Sequence, residues 1–275
     1  MSFVQDRRES FGAGRVERRS LDIGHVARQT FGALGRNMGP FLILSLLLIG
    51  LPALVLGLWQ ASSTLGAVGR PPPAVALRGG LIAMVGGVAY LAFGGIFQAA
   101  IVHGVVSDLN GRRSSFGDLV STGLRFALPA MAISLIFGLV MGLGFILLIV
   151  PGLMVATAWI VALPAEVVER TGIMAAFSRS GDLVKGARWR ILALLLIYAV
   201  AATILNLLVL ALSAGLTHRG LPLTSLTQSL PGVILRTLTR VFINMVAATG
   251  VAVIYHNLRT AREGVAPADL AAVFD

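Results

Sequence analysis

Glu166 and Glu169 stand three residues apart at the end of an apolar run, with Arg170 beside them. That spacing puts both carboxylates on one face of a helix. Two neighbouring carboxylates could share a proton or hold a cation. No histidine or third ligand lies at useful spacing, which argues against acid–base pairing and metal ligation by these two alone. Their depth is the sharper question. About 13 apolar residues separate Pro151-Gly152 from Glu166, roughly 20 Å of helix against roughly 30 Å of hydrocarbon. Either this helix is tucked behind others, or a carboxylate lies below the membrane surface, where it is a functional candidate unless paired. Pairing with Arg179 or Lys185 at the helix end is the structural alternative.

Two further sets of residues have the types and spacing for chemistry. Arg236 and Arg240 lie one helical turn apart inside the last apolar run. In lipid they would snorkel toward phosphates. Facing inward, beside Thr237, Thr239 and Asn244, they would grip an anionic group. Tyr255, Arg259 and Glu263 are each four apart and share a face where that run ends, the pattern of a salt-bridged helix end with Gly264 as its C-terminal cap. His103 is a lone histidine near the end of another apolar run, expected to be satisfied or interfacial. The chain contains no nucleophile elbow, phosphate loop, HExxH or dinucleotide fingerprint. It contains no cysteine either, so thiolate metal sites and disulfides are excluded. The expectation is a protein that is not an enzyme, with no catalytic residue, cofactor or metal.

The elements that position these residues are membrane spans. Of 275 residues, 56% are hydrophobic and 12% charged, with mean hydropathy +0.88. A soluble domain carries about twice that share of charge. The net charge of +10 sits in arginines clustered between apolar runs, without interleaved aromatics, which points to membrane topology and away from nucleic acid. Six spans are expected at about 40–59, 80–105, 127–149, 152–169, 191–214 and 231–257. A disordered basic tail (1–19) would precede the membrane domain (20–264), and a short tail (265–275) would follow it.

Residues 60–78, with Pro71-Pro72-Pro73, read as a loop. Gly80, Gly87 and Gly94, and the pair Gly138 and Gly142, are small residues of the kind that let helices approach in lipid. The 40 residues from Phe126 to Ala165 carry no charge, about 60 Å of helix and therefore two crossings. The reversal is expected at Val150-Pro151-Gly152, in the interface and shielded by protein. A turn at Gly142–Gly144 is the competing placement.

Three connections read as short amphipathic surface helices. The first starts from Ser20 as N-cap, with Ile23, Val26, Ala27, Thr30, Phe31 and Leu34 at helical spacing. The second carries Phe116, Leu119, Val120 and Leu124. The third runs from Met174 to Arg188, with Ile173, Phe177, Ser180 and Val184 near one face. Thr30-Phe31-Gly32-Ala33-Leu34, Ser115-Phe116-Gly117-Asp118-Leu119 and Ser180-Gly181-Asp182-Leu183 share one grammar, compatible with a parallel three-fold repeat of surface helix plus hairpin. With six spans, one side of the membrane holds seven, three, five and two basic residues in its successive segments. The other side holds Arg70, Arg78 and Arg219. The positive-inside rule then puts both termini in the cytoplasm.

One stretch has a family likeness. LPAEVVE followed by AFSRSGDLVKGARWRI resembles a segment of bacterial six-helix inner-membrane proteins related to the membrane domain of glycerophosphoryl diester phosphodiesterases. The matching positions are Pro164, Val167, Val168, Glu169, Arg179, Ser180, Leu183, Gly186 and Trp189. The close of the chain at Tyr255, Leu258, Arg259 and Glu263-Gly264, and the turn at Ile149–Gly152, resemble that family as well. His256-Asn257 departs from the family's Tyr-Asp. No catalytic domain is attached, so the resemblance implies an all-α polytopic inner-membrane protein with a role in membrane or envelope homeostasis and no phosphodiesterase activity. Its partners would be the phospholipid bilayer and anionic headgroups, with a protein partner or a second copy also compatible. A transporter or flippase for a lipid or amphiphilic anion, lined by Glu166, Arg236 and Arg240, is the alternative.

Overall fold

The structure is a computed structural model that describes residues 22–65, 73–216 and 230–263. The expected tails at 1–19 and 265–275, Ser20, Gly264 and the connections at 66–72 and 217–229 lie outside the described residues. In chain order the helices are α1 (Ile23–Arg36), α2 (Met38–Ser45), a wider π-helical turn (Leu46–Gly50), α3 (Leu51–Leu65), α4 (Pro73–Leu109) and α5 (Phe116–Arg125). Then come α6 (Ala127–Leu147), α7 (Ile149–Trp159), α8 (Ala162–Glu169), α9 (Ile173–Val184), α10 (Arg188–Leu216) and α11 (Leu230–Glu263). Among the described residues, six segments are long and apolar enough to cross a membrane: Met38–Trp59, Gly79–Leu109, Ala127–Leu147, Ile149–Glu169, Arg188–Ser213 and Leu230–Glu263. The protein is an all-α polytopic membrane protein, and α1, α5 and α9 are its three short connecting helices.

Proline explains both interruptions. Pro52 has no N–H to give to Leu48, and the π-helical turn at Leu46–Gly50 absorbs that missing bond within the first span. Pro164 sits in the first turn of α8, where its missing N–H would be unpaired anyway, and the fourth span breaks just before it at Ile160-Val161. Pro73 likewise opens α4, so the expected loop at 60–78 contracts to the residues between Leu65 and Pro73.

The chain reverses between the third and fourth spans at Leu148, whose backbone is extended, two residues before the expected Val150. Pro151 falls in the first turn of α7. Gly144 and Gly152 make the hairpin possible: a Cβ on Gly144 would lie 2.9 Å from the Gly152 Cα, and one on Gly152 would strike the Phe145 ring. The expectation that protein shields this turn is not met. Ile146 is 82% exposed, and Leu147 to Val150 are exposed with it.

The packing glycines are also others than expected. Among the described residues, a Cβ on Gly80, Gly87, Gly94, Gly138 or Gly142 would meet nothing within 4 Å. Gly86 approaches Leu56, and Gly95 approaches the backbone of Ala130 and Met131.

The core centres on the even-numbered spans, joined by Phe41, Leu44 and Ile49 of the first. The second, fourth and sixth touch one another pairwise, and Ile101, Val105, Val161, Ala165, Met245 and Ala252 are buried among them. The fifth span is the most peripheral. Each connecting helix lies against the end of the even-numbered span before it, α5 on the second and α9 on the fourth. The cycle closes with α1 on the sixth. This end of the bundle, called the basic face below, holds most of the core. On the second span the residues from Phe97 to Val105 are largely buried, whereas Leu81 to Val88 are mostly exposed.

α1 is capped by Asp22, whose carboxylate accepts from Gly24 N at 3.1 Å, and it buries Val26, Thr30, Ala33 and Leu34. Phe31, expected on the same stripe, points outward. α5 buries Leu119 and Gly123 and leaves Phe116 and Leu124 exposed. The shared four-residue grammar places α1 and α9 in the same register: Thr30 and Ser180 are both buried and each stands eight residues before the following span begins. Ser115 does not fit that register. It is the N-cap of α5, and Leu119 occupies the equivalent place.

Candidate functional site

α8 ends at Arg170 in the left-handed conformation (φ 53°), and Gly172 follows at φ 89°, a value only glycine adopts freely. This turn drops the chain onto α9. Glu166 organises it. The side chain is buried, 7% exposed, and its Oε2 accepts from the backbone N of Gly172 at 2.7 Å and from Thr171 Oγ1 at 3.4 Å. Gly172 is the N-cap of α9 and has no cap of its own, so the Glu166 carboxylate supplies the negative charge that the N-terminus favours. The fourth span is therefore tucked in, and its deeper carboxylate holds a turn.

Glu169, one turn further, joins three elements. Its Oε2 accepts from Arg179 Nε of α9 at 2.7 Å, and its Oε1 accepts from the Tyr255 hydroxyl of the sixth span at 2.8 Å. Arg179 also donates to Glu263, whose other oxygen accepts from Arg259 Nε at 2.8 Å. Two carboxylates and two guanidiniums thus alternate in one chain and neutralise each other. Hydrogen bonding to Glu169 is the main reason that the Arg179 guanidinium binds its proton more tightly than usual, against the opposing effect of burial.

Beneath this network Ser180 Oγ donates to the carbonyl of Ala158 at 2.8 Å, at the break in the fourth span, and the Trp159 and Phe177 rings lie 4.6 Å apart. At the far end of α9, Arg262 of the sixth span donates to the carbonyls of Leu183, at 3.2 Å, and Lys185. These are among the carbonyls a helix end leaves without partners.

The other residues of this stretch lie on the same turn and helices. Pro164 and Leu183 are buried, Gly186 takes φ 82° in the turn into α10, and Trp189 stands 83% exposed at the head of the fifth span. Sequence reasoning missed two clasps of the same kind. Arg36 of α1 makes paired bonds to Asp108 at the end of α4, the shorter at 2.6 Å, and Asn257 donates to Gln29 at 2.8 Å. Asp108 is the one acid at the end of the second span, which was the available signal.

Arg236 and Arg240 belong to a different region. Both are exposed and make no ion pair among the described residues. They are not brought near Glu166, which is held by the turn at the basic face. His103 is half-buried on α4. Chemically the basic-face cluster is closed: each named carboxylate accepts from a named donor, and the Tyr255 hydroxyl is engaged. Among the described residues no three His, Asp or Glu side chains are grouped to hold a metal. No family model, curated protein or solved structure matches the chain.

Proposed function

We propose that this is a non-enzymatic protein of the bacterial inner membrane, with its basic face in the cytoplasm. On this reading it organises the anionic leaflet, or scaffolds a partner there, through its surface helices. One observation carries the reading. α1 and α9 are clasped to the spans by ion pairs and hydrogen bonds and α5 packs on the second span, yet large apolar side chains stay exposed beside arginines that make no ion pair among the described residues. Phe31 has Arg28, Leu124 has Arg125, and Trp189 is flanked by Arg188 and Arg190. An exposed apolar residue next to a cation suits the boundary between headgroups and acyl chains. Each such arginine contributes about 1 kcal/mol near an anionic surface.

The test is boundary-lipid selectivity of the full-length protein in vesicles, read with spin-labelled anionic and zwitterionic lipids. A preference for anionic lipid is expected, falling toward parity when Arg28, Arg125, Arg188 and Arg190 are replaced by Gln. An equal preference before and after replacement would remove the reading. The transporter alternative is weakened by Glu166, whose carboxylate is committed to the Gly172 turn.

A further inference from the structure

Arg236 and Arg240 lie well inside the sixth span, and the Tyr198 hydroxyl fixes how deep. It donates to the carbonyl of Ile243 at 3.1 Å and so sets the register between the fifth and sixth spans. Tyr198 is eight residues beyond Arg190, about 12 Å into the bilayer from the basic face at 1.5 Å per residue. Arg240 is then about 16 Å deep and Arg236 about 22 Å deep, against roughly 30 Å of hydrocarbon. The Cα of Arg240 stands near the midplane and that of Arg236 in the half remote from the basic face.

Helical spacing places the pair on one exposed strip between two packed flanks. On one side Val233 and Val241 approach Gly57 and Gly50 of the first span; on the other, Ile243 meets the fifth. The arginines therefore floor a groove between the first and fifth spans. Exposed apolar side chains stand on both neighbouring helices at this end, Val55 and Leu58 on the first span and Ile204 and Leu208 on the fifth. Asn206 lies two turns beyond Tyr198, at the level of Arg236, and Asn244 is one turn from Arg240. Both hold their amide groups on their own helices through Ala202 O and Arg240 O.

Among the described residues, no carboxylate pairs with these cations. Of its 12 acidic residues, those in the described spans and connecting helices lie at the basic face: Asp22, Asp108, Asp118, Glu166, Glu169, Asp182 and Glu263. The remaining five belong to the terminal segments joined to that face. Neither 60–78 nor 217–229, the connections at the other end, contains an Asp or Glu. A second copy of the chain in the same orientation would bring no described carboxylate to this groove.

We propose that Arg236 and Arg240 bind the anionic headgroup of a membrane amphiphile, drawn below the surface of the remote leaflet into the groove between the first and fifth spans. Arginine pairs recognise phosphate oxygens through parallel N–H bonds, and Arg at this depth is tolerated where it pairs or reaches a headgroup. The apolar side chains on both helices accept the acyl chains, which is why the occupant is a lipid and not free phosphate.

The test is native mass spectrometry of the full-length protein released from membranes containing phosphatidylglycerol and phosphatidylethanolamine. Wild type is expected to retain phosphatidylglycerol, and Arg236→Leu/Arg240→Leu to bind it about tenfold more weakly or worse. Arg236→Lys/Arg240→Lys keeps the charge in the groove and should retain part of the binding at wild-type helical content; retention no better than that of the leucine pair overturns the proposal. Equal retention by wild type and the leucine variant overturns the proposal. So does a change of oligomeric state without a change in bound lipid. Equal thermal stabilisation of lipid-free protein by millimolar inorganic phosphate would make this a free-anion site and overturn the lipid assignment. The basic-face glutamine variant keeps this lipid while losing boundary selectivity, so the two readings fail separately.

Discussion

Arg179 and Glu169 meet at 2.7 Å across the turn between α9 and α8, with the carboxylate side chain 14% exposed and the guanidinium 29%. Exposed ion pairs contribute little, because water screens them and ordering two long side chains costs entropy. This pair is largely withdrawn from solvent, and each partner has a second bond, to Tyr255 and to Glu263. Removing one partner strands the other, so Glu169→Gln and Arg179→Gln should each destabilise by about 1–3 kcal/mol. A double-mutant cycle in detergent, followed by thermal or denaturant unfolding, should give a coupling of about 1–2 kcal/mol. Tyr255→Phe should cost about 1 kcal/mol through the same carboxylate. Zero coupling would make the network ornamental.

The hairpin between the third and fourth spans separates two classes of glycine. At Gly144 a methyl group would press on the backbone of Pro151 and Gly152, which cannot turn aside as a flexible side chain can. Gly144→Ala should therefore destabilise by about 1–3 kcal/mol, the usual cost of overpacking. Gly138→Ala and Gly142→Ala meet open space and replace a poor helix former by the best one, so each should be neutral or stabilising by up to about 1 kcal/mol. Melting curves of the three variants in one detergent check this. A Gly138→Ala protein less stable than the Gly144→Ala one would contradict the observed packing.

What could be read in advance follows from the range of the forces involved. Charge-free runs flanked by arginine report the solvent around them, so the six spans and the connecting helices were visible from hydropathy alone. Glycine spacing reports a face but not what lies opposite it. Gly80, Gly87 and Gly94 share a stripe that meets nothing within the described chain, whereas Gly144 and Gly152 become neighbours only once the hairpin closes. The carboxylates show the same limit. Three-residue spacing placed Glu166 and Glu169 on one helix face, but their separate roles depend on Gly172 and on Tyr255, 86 residues from Glu169 in sequence. Ser180 illustrates it too: its place on the connecting helix that leads into the fifth span was legible, and the Ala158 carbonyl it satisfies was not.

The N-terminus of α5 supplies a pH-dependent contact that can be isolated. Ser115 Oγ accepts from the Asp118 backbone N at 3.2 Å, while the Asp118 carboxylate accepts from the Ser115 N at 3.0 Å, completing a capping box. The Ser115 hydroxyl is the main cause that holds the Asp118 carboxyl below the usual carboxylate range, with the Ser115 backbone N–H next. A depressed value in the folded state means that the folded protein binds this proton less readily than the unfolded chain does. Its contribution is present in full above the unfolded value, about 4, and is lost as pH falls through the lower folded value. Asp118→Asn should therefore be less stable than wild type at pH 7. The gap in melting temperature should narrow once pH drops below about 4. A gap that is constant from pH 7 to the acid limit would mean that the carboxylate of Asp118 contributes through shape and not through its charge.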